Sequence, residues 1–309
     1  MAAAHKTGRK AFIVINPVAG STESELIQAI CKEHFQAAGW KTTFHFTKQN
    51  ESLVKIIHKV ISDGIDLVVA VGGDGTIAAV AAGLVNTPIP LGIIPSGTWN
   101  AIARHLYLPS SPEEAIALMI GNHTVRKLDM MTVNGVAHAM NLGAGFSAHL
   151  NSDANRAEKR RMGALAYIRH FFKLLFGLEM QKYILEVDGV FYRGRATEIF
   201  VANYGIVGLH LLDDSLDIHP DDGKVDVLIM QANTLMDLPI LIWHMFVSKE
   251  KRTPKYRQYS ARKFVTITTK PACPVQADGE IIGKTPVKVK VLPRSIHVIA
   301  PRSEAEKHP

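Results

Sequence analysis

The feature that most constrains the fold is the run Gly72-Gly73-Asp74-Gly75-Thr76, which lies between apolar segments at residues 65–71 and 77–82. This order predicts a buried strand, a glycine turn and the first turn of a helix. A turn without Cβ atoms lets a phosphate chain approach the backbone, and the start of a helix favours negative charge. Asp74 would repel phosphate unless it holds a metal, a ribose hydroxyl or a proton in transfer. We interpret the turn as a nucleotide site with a working acid; the alternative is an ordinary turn in which Asp74 caps the helix.

The composition describes a folded chain that has an anionic partner. A length of 309 residues suffices for two domains, and 47% hydrophobic with 20% charged residues is typical of folded proteins. The net charge of +7 indicates a nucleotide, a nucleic acid or a membrane surface, without choosing among them. Two cysteines make no disulfide framework and fit a reducing cytoplasm. We expect no secretory signal and no segment able to span a bilayer.

The first part of the chain alternates between strand and helix patterns. The sequence predicts strands at residues 10–16, 41–47, 67–71 and 90–94, and helices at residues 23–38, 52–62, 77–84 and 101–106. This alternation predicts βαβ units and a parallel sheet. Ligands of such sheets lie at the carboxyl ends of the strands. We therefore expect Asn16, Thr47, the glycine turn and residues 95–100 to converge on one crevice.

From about Met131 the pattern changes to short strands with turn residues between them. The predicted strands are residues 132–136, 137–142, 183–187, 190–202, 224–230, 264–269, 287–291 and 295–299. Asp188-Gly189 is typical of a hairpin turn. The second part is therefore predicted to be an antiparallel β domain, interrupted by two apolar helical stretches.

Three further motifs each allow a chemical and a purely structural interpretation. Residues 95–100 suit a second set of phosphate contacts or a helix cap. Asp278-Gly279-Glu280, taken alone, indicates a hairpin turn. Asp221-Asp222-Gly223 fits a Mg²⁺ site or a solvated turn equally well.

Basic residues accompany two apolar segments. Residues 159–178 form a basic amphipathic pattern, and Lys249, Lys251, Arg252, Lys255 and Arg257 follow the apolar stretch at residues 235–247. Core packing accounts for the apolar side chains, and attraction to a membrane surface for the basic ones. No Gly-x-Ser-x-Gly, His-Glu-x-x-His or P-loop lysine motif is present, so hydrolase, zinc-protease and P-loop interpretations lack their central residues.

These motifs together resemble the diacylglycerol-kinase-type lipid kinases, whose bacterial branch includes sphingosine-kinase-like and phosphatidylglycerol-kinase-like members. The resemblance covers nearly the whole chain in order. It is carried by Asn16-Pro17-x-x-Gly20, Gly72-Gly73-Asp74-Gly75-Thr76, Pro95-x-Gly97-Thr98-x-Asn100, Asp129, Asn141-Leu142-Gly143-x-Gly145, Gly163-x-x-x-Tyr167, Asp222-Gly223, Asp278-Gly279-Glu280 and Val298-Ile299-Ala300-Pro301.

The resemblance implies two domains. Residues 1–130 would form an α/β ATP-binding domain, to which about residues 293–309 return, and residues 131–292 a β-sandwich domain for the lipid. It implies transfer of the γ-phosphoryl group of ATP to a hydroxyl of a lipid such as diacylglycerol, in the cleft between domains. The protein would act in the cytoplasm at the inner face of the membrane, with Mg²⁺ and without nucleic acid; a homodimer is one open arrangement.

The resemblance also implies residue roles. ATP would contact Asn16, Thr47, Gly72, Gly73, Asp74, Gly75, Thr76 and Thr98. Glu280 matches the general base, and Asp74 is the second catalytic residue. Asp74 and Asp129 would organise Mg²⁺ through water. Asp222, with the carbonyl groups of His219 and Lys224, matches a structural Mg²⁺ site.

The chain departs from the family pattern at two places. Ala78 and Ala79 stand where the family has Asn and then Glu. After the second Gly-Thr the family has a small Ala followed by Asn-Asp-Phe, whereas this chain has Trp99, Asn100, Ala101 and Ile102, with a bulky ring and without the acid. These changes leave two alternatives open: an NAD kinase, or a lipid- or nucleotide-binding homologue without turnover.

Overall fold

The computed structural model describes residues 8–17, 21–97, 100–148, 180–204, 216–232, 234, 236–246 and 251–302. The chain divides into two compact units, Met1–Leu128 with Arg294–Pro309, and Asp129–Pro293. Among the described residues, no helix has the length and hydropathy needed to cross a bilayer.

The first unit is built around a parallel sheet. Its strands are β1 (Lys10–Ile15), β2 (Lys41–Phe46), β3 (Leu67–Gly72) and β4 (Pro90–Pro95), and its helices are α1 (Ser21–Ala37), α2 (Leu53–Ser62), α3 (Asp74–Gly83), α4 (Ala101–His105) and α5 (Pro112–Ile120). The strand order is β2-β1-β3-β4, with parallel neighbours throughout. β3 is buried along its whole length, which explains why it reads as a continuous apolar run.

Helices α1 and α5 pack against one face of this sheet. Their buried side chains meet those of β1 and β3 in a core made by Ala11, Ile13, Ile15, Ile27, Cys31, Phe35, Trp40, Leu67, Val69, Val71, Ile94, Ala115, Ile116, Met119 and Ile299. Local signals set the helix starts. The hydroxyl of Ser52 accepts a hydrogen bond from the backbone N–H of Lys55, and that of Ser111 accepts one from Glu114.

The second unit contains two antiparallel sheets. Its elements are β6 (Val136–His138), β7 (Asn141–Gly145), β8 (Gln181–Val187), β9 (Val190–Ala196), β10 (Glu198–Ala202), β11 (Val225–Met230), α6 (Asp237–Phe246), β12 (Tyr256–Ala261), β13 (Phe264–Lys270), β14 (Pro274–Ala277) and β15 (Glu280–Lys284). One sheet has the order β12-β11-β10-β7-β14-β15. In the other, β13 and β8 and then β8 and β9 are antiparallel neighbours. Strand β5 (Thr124–Val133) leads into this unit, and its last residues pair with β6.

The core of the second unit comes from alternating residues of both sheets. Strand β13, for example, buries every second side chain. The core residues are Met131, Val133, Leu142, Ala144, Tyr183, Leu185, Val187, Ala196, Ile199, Val201, Val225, Val227, Ile229, Ala261, Val265, Ile267, Cys273, Val275, Ala277, Val287, Val289 and Val291. The predicted fold class, an α/β domain followed by a β-sandwich, is confirmed.

The last strand, β16 (Val287–Ala300), is continuous although the sequence predicted two short strands. Its first residues pair antiparallel with β13 in the second unit. Within the first unit, His297 and Val298 pair in parallel with Pro90 and Leu91 of β4.

Some predicted strands have different boundaries in the structure. The strand predicted at 132–136 is interrupted by a turn at Asn134-Gly135, where both residues have positive φ. The strand predicted at 137–142 is divided between β6 and β7. The strand predicted at 190–202 is broken at Thr197, whose hydroxyl donates a hydrogen bond to the carbonyl of Ala232. The sequence analysis missed α5, although Ser111 and Pro112 are ordinary helix-start signals. It predicted the hairpin turn at Asp278-Gly279 but gave no bounds for the short strands β12, β14 and β15.

Candidate active site

The carboxyl ends of β1, β2 and β3 bring the predicted nucleotide residues of the first unit together. The side-chain Nδ2 of Asn16, directly after β1, donates a hydrogen bond of 2.8 Å to the hydroxyl of Thr76 in α3. The backbone N–H of Asn16 donates a hydrogen bond to the carbonyl of Val71, and the N–H of Thr47 donates one to the carbonyl of Ile15. Asn16, Thr47 and the glycine turn thus line the same edge of the sheet, as the strand order requires.

The glycines of the turn are not equivalent. A Cβ atom on Gly72 would lie 2.7 Å from Cβ of Thr76, and one on Gly73 would lie 3.3 Å from Cα of Gly97. Packing within the protein therefore explains both. Around a Cβ on Gly75, no atom of the described residues lies within 4 Å apart from the chain neighbours and the backbone of α3 itself, although glycine in a helix costs stability relative to alanine. Of the three glycines in the turn, Gly75 is therefore the one that packing among the described residues does not explain.

The turn after β4 packs against the glycine turn. A Cβ on Gly97 would approach Cα of Gly73 to 2.6 Å, so the two backbones are in direct contact. The side chain of Asn100 closes this second turn, since its Nδ2 donates to the carbonyl of Gly97 and its Oδ1 accepts from the N–H of Gly97. Thr98 and Trp99 lie outside the described residues, so the predicted contact of Thr98 with ATP stays a prediction.

Asp74 has a structural partner in this arrangement. Its Oδ1 accepts a 2.6 Å hydrogen bond from the backbone N–H of Ala101, at the start of α4. Burial raises the pKa of Asp74, while the N–H groups of Ala101, Asn100 and Ile102 lower it in part. Asp74 therefore caps α4 rather than its own helix, α3, whose first residue it is. This bond joins the two turns. It also gives the carboxylate of Asp74, whose negative charge the sequence did not explain, a hydrogen-bond donor within the protein.

Two of the four positions where the chain departs from the family pattern are buried in the first unit, namely Ala78 and Ile102. Ala79 is half-buried, and Trp99 lies outside the described residues. The small side chain of Ala78 and the apolar one of Ile102 suit a closely packed interior.

In the second unit, Asp278 fixes the hairpin that carries Glu280. The carboxylate of Asp278 accepts hydrogen bonds of 2.9–3.0 Å from the backbone N–H groups of Ala139, Met140 and Asn141. Nδ1 of His138 lies 3.4 Å from it. Burial raises the pKa of Asp278, but His138 and the backbone donors outweigh it and hold the pKa below its usual value.

Glu280 follows directly as the first residue of β15, with its side chain exposed. The turn before it has positive φ at both Asp278 and Gly279, as a two-residue hairpin turn requires. The sequence prediction of a hairpin at this tripeptide is correct, and the aspartate ties that hairpin to the segment before β7.

The residues of this unit that were predicted to bind Mg²⁺ each have a partner within the protein. Asp129 is fully buried, and its Oδ2 accepts a 2.6 Å hydrogen bond from the N–H of Gly223. The carboxylate of Asp222 lies 3.1 Å from Nζ of Lys224 and accepts from the N–H of the same residue. Nε2 of His219 lies 3.3 Å from Asp217.

Within the described ranges, no three His, Cys, Asp or Glu side chains come together as a cation site. Lysine already supplies a positive charge to Asp222, and Mg²⁺ prefers a near-octahedral set of oxygen ligands. This finding concerns side chains, whereas the ligands predicted beside Asp222 are the carbonyl groups of His219 and Lys224. The metal roles of Asp222, His219, Lys224 and Asp129 therefore stay predictions.

Comparison with known families follows the same division of the chain. A family model of the diacylglycerol kinase catalytic domain matches residues 10–133. A second model, the YegS C-terminal NAD kinase beta sandwich-like domain, matches residues 140–300, more than half of the 309 residues. The chain belongs to the diacylglycerol kinase catalytic-domain family. The predicted family is thus confirmed, and the chain is a member of a lipid kinase family.

Relatives of this family match over nearly the whole chain. An uncharacterized protein of Synechocystis sp. is 31% identical, over 96% of this chain and 70% of its own length. A diacylglycerol kinase of Bacillus subtilis is 29% identical, over 97% of this chain and 99% of its own length. A crystal structure of a putative diacylglycerol kinase from Bacillus anthracis has a TM-score of 0.77 at 23% identity, covering 99% of this chain and 98% of that one. That structure shares the fold.

A buried polar cluster beside the Asp278 hairpin was not predicted. Glu198, at the start of β10, accepts hydrogen bonds from the hydroxyl and the N–H of Ser147, at 2.6 and 2.9 Å. Burial raises the pKa of Glu198 to about 7. A Cβ on Gly143 would collide with this carboxylate and with Gln276, whose Oε1 accepts from the N–H of Gly279. The family motif includes Gly143 but does not indicate why a glycine is needed there. The sequence signal for the buried cluster was Glu198, a single acidic residue at the start of an apolar strand.

Proposed function

We propose that this protein transfers the γ-phosphoryl group of ATP to a hydroxyl of a lipid such as diacylglycerol. The family membership supports it, and the relatives named diacylglycerol kinase favour that lipid class. We assign ATP binding to residues 1–130 with about 293–309, and lipid binding to residues 131–292. An enzyme of this kind uses cytoplasmic ATP and a substrate held in a bilayer, so we place it at the inner face of the membrane.

The single observation that carries nucleotide binding is Gly75. Among the described residues, no atom beyond its chain neighbours and the backbone of its own helix lies within 4 Å of the missing Cβ, and the residue is exposed at the start of α3. The cap residue of α3, Gly73, has no side chain to satisfy the N–H groups there. A phosphate chain would supply the absent acceptors at this helix end. Asn16, Thr47, Gly72, Gly73, Asp74, Thr76 and Thr98 would complete the contacts with ATP.

The proposed reaction needs one base and correct positioning. The carboxylate of Glu280 accepts the proton of the lipid hydroxyl, whose oxygen forms a bond to the γ-phosphorus. The bond between that phosphorus and the β–γ bridging oxygen breaks, and ADP leaves with the electron pair. Phosphoryl transfer depends mainly on positioning and on neutralising charge, so one exposed carboxylate on a fixed hairpin is sufficient protein chemistry.

We propose that Mg²⁺ arrives with the nucleotide. Mg²⁺ commonly binds through substrate phosphates and one or two carboxylates, with water completing its shell, rather than in a protein cage. Asp74 and Asp129 are the proposed carboxylates, acting through water. A chelator would then abolish transfer without lowering the thermal stability of the protein free of nucleotide.

The test is transfer of label from [γ-³²P]ATP to a mixed lipid extract or to NAD, in parallel reactions with the purified protein. We expect label in a phospholipid that mass spectrometry identifies, and loss of that label in Glu280→Gln. Glu186→Gln, a change of another glutamate of the second unit, is the matched control and should retain the rate. Label in NADP would establish the NAD kinase alternative instead, and ATP binding without labelled lipid would establish the homologue without turnover.

A further inference from the structure

One side of the sheet formed by β16, β13, β8 and β9 is strongly basic. Residues that pair across strands point to the same side of a sheet, and so do residues two apart along one strand. The register therefore places six basic residues on this side, namely Lys182, Arg193, Arg195, Lys270, Lys288 and Lys290. All six are exposed, and we call them the basic face. The opposite side of the same strands belongs to the core of the second unit, through residues such as Leu185, Ile267 and Val289.

Acidic side chains do not balance the charge of the basic face. Within these four strands, Glu186 is the one carboxylate that the register places on the same side, so six cations and one anion leave an excess of five positive charges. Among the residues that the structure describes, none of the six basic side chains forms an ion pair. The net charge of the whole chain is +7, so this side of one sheet carries a large part of it.

Three of these charges lie directly beside one another. Lys182 is paired with Lys270 on one neighbouring strand and with Arg195 on the other. Like charges directly opposite each other on antiparallel strands destabilise a sheet. Protection of a sheet edge explains the arginines of β9, because β9 is the last strand. It does not explain the lysines of β8, β13 and β16, each of which has strands on both sides. An anionic partner accounts for this arrangement.

Two exposed apolar side chains lie on the same side of the sheet. Phe191 is 61% exposed and Ile184 is 37% exposed. Apolar side chains among Lys and Arg are typical of surfaces that lie in the headgroup region of a bilayer. Single-stranded nucleic acid instead stacks its bases on successive free aromatic rings. The second aromatic residue on this side, Phe264, has the Nζ of Lys288 4.9 Å from its ring centre, so its ring is already in contact with a cation.

We propose that the basic face docks on the surface of an anionic bilayer, with its ammonium and guanidinium groups at the level of the lipid phosphates. Clusters of about four to eight Lys or Arg residues are typical of segments that bind anionic lipid headgroups. Contact surfaces between proteins are instead depleted in lysine, which argues against a protein partner. The inference deepens the proposed function and rests on it in one respect: a lipid kinase must reach a substrate that stays in the membrane.

The test is co-sedimentation of the full chain with vesicles of phosphatidylglycerol and phosphatidylcholine, compared with phosphatidylcholine alone. The double variant Lys182→Gln/Lys270→Gln should lower the partition coefficient on the anionic vesicles about 25-fold, at about fivefold for each charge. Binding to phosphatidylcholine alone should not change. Raising the salt from about 0.1 M to about 1 M, which shortens the screening length from about 10 Å to about 3 Å, should abolish wild-type binding.

Lys55→Gln/Lys59→Gln is the matched control. These two lysines are exposed one turn apart on α2, so the control removes the same charge from a helix of the first unit. It should bind anionic vesicles as the wild type does. An equal loss in the control would show that net charge, and not the basic face, drives binding, and would overturn the proposal.

The row of like charges provides a second measurement. Lys182→Gln removes the repulsion with both neighbours, so it should raise the melting temperature by about 1–3 °C while it weakens vesicle binding. A residue kept only for the fold would show the reverse. A lowered melting temperature with unchanged vesicle binding would therefore refute the proposal.

Two further results would also overturn it. One is equal binding of anionic vesicles by Lys182→Gln/Lys270→Gln and the wild type. The other is binding of labelled RNA or duplex DNA, measured by fluorescence anisotropy, that the double variant loses while the wild type ignores vesicles; nucleic acid would then be the partner. Should the double variant fold poorly by circular dichroism, Lys288→Gln/Lys290→Gln tests the same face.

A second substrate form separates this proposal from the proposed function. With short-chain diacylglycerol in neutral detergent micelles, Lys182→Gln/Lys270→Gln should keep the wild-type rate, because its defect lies in reaching an anionic bilayer. Vesicle binding through the basic face without any lipid phosphorylation would refute the kinase and leave the docking surface standing. Lipid phosphorylation by a double variant that binds vesicles as the wild type does would refute the docking surface and leave the kinase standing.

Discussion

Replacing Gly75 with alanine should stabilise the protein and weaken its binding of ATP. The added methyl group meets no atom of the described residues within 4 Å, apart from its chain neighbours and the backbone of α3 itself. Alanine is favoured over glycine in a helix by about 0.5–1 kcal/mol, so the melting temperature should rise by about 1–4 °C. In the complex, the same methyl would occupy space that a phosphate needs. Overpacking of one methyl costs about 1–3 kcal/mol, which corresponds to about 5- to 150-fold weaker binding.

Gly83→Ala is the control in the same helix. A Cβ at Gly83 would lie 2.8 Å from Cδ1 and 2.9 Å from Cβ of Ile57, in the buried contact between α3 and α2. This change should therefore lower the free energy of unfolding by about 1–3 kcal/mol and leave the affinity for ATP unchanged. Gly75→Ala is thus predicted to raise stability and weaken ATP binding, whereas Gly83→Ala is predicted to lower stability and leave ATP binding unchanged.

Thermal denaturation and calorimetric titration with ATP measure both quantities on the same samples. If Gly75→Ala binds ATP as tightly as the wild type, no phosphate approaches this backbone, and the argument for the nucleotide site fails. If the variant is instead destabilised, the space around residue 75 is not open, and the structural premise is wrong.

The remaining predictions concern the second unit. Asp278→Asn and Asp188→Asn should both lower the free energy of unfolding, because each carboxylate accepts three backbone N–H bonds; the loss should be about 2–4 kcal/mol for the buried Asp278 and less for the more exposed Asp188. Only Asp278→Asn should also lower the lipid kinase rate, because only the turn of Asp278 precedes Glu280. Equal kinase rates in the two variants would show that Asp278 does not position Glu280. The low pKa of Asp278 adds stability above the pKa of the unfolded chain, and that stability is lost as pH falls below about 4, so Asp278→Asn should flatten an acid denaturation curve. The pH dependence of stability has the opposite sign for Glu198. Its pKa rises from 4.5 to about 7 on folding, so the folded state binds a proton that the unfolded state has lost. The free energy of unfolding should therefore fall by roughly 3 kcal/mol as pH rises through that window. Glu198→Gln should remove this fall, and an unchanged pH profile of urea denaturation in the variant would contradict the assignment.

The sequence predicted the parallel sheet well because its signals are local. Continuous apolar runs such as β3, glycine turns and serine caps each act within a few residues, so strand and helix bounds agree closely with the structure. The convergence of Asn16 with Thr76 could also be predicted, since strand order alone brings their ends together.

What the sequence could not predict depends on partners distant along the chain. Asp74 caps a helix that begins 27 residues later, and Asp278 bonds to backbone groups 137–139 residues away. Neither partner leaves a signal near the aspartate. The glycine at 143 is likewise explained by the side chains of Ser147, Glu198 and Gln276, the last two of which neighbouring strands bring against it. Short strands such as β15 also depend on a neighbour that offers hydrogen bonds, which for β15 is β14.

The final strand has a consequence for synthesis of the protein. His297 reaches a carbonyl oxygen, that of Thr87, 210 residues earlier, and Val298 pairs with Leu91 of β4. While the ribosome is still translating the intervening residues, that side of β4 has no hydrogen-bonding neighbour from the chain's end. An uncovered sheet edge invites pairing with other nascent chains. Premature termination shortly before residue 295 would therefore yield aggregation rather than an independent amino-terminal fragment.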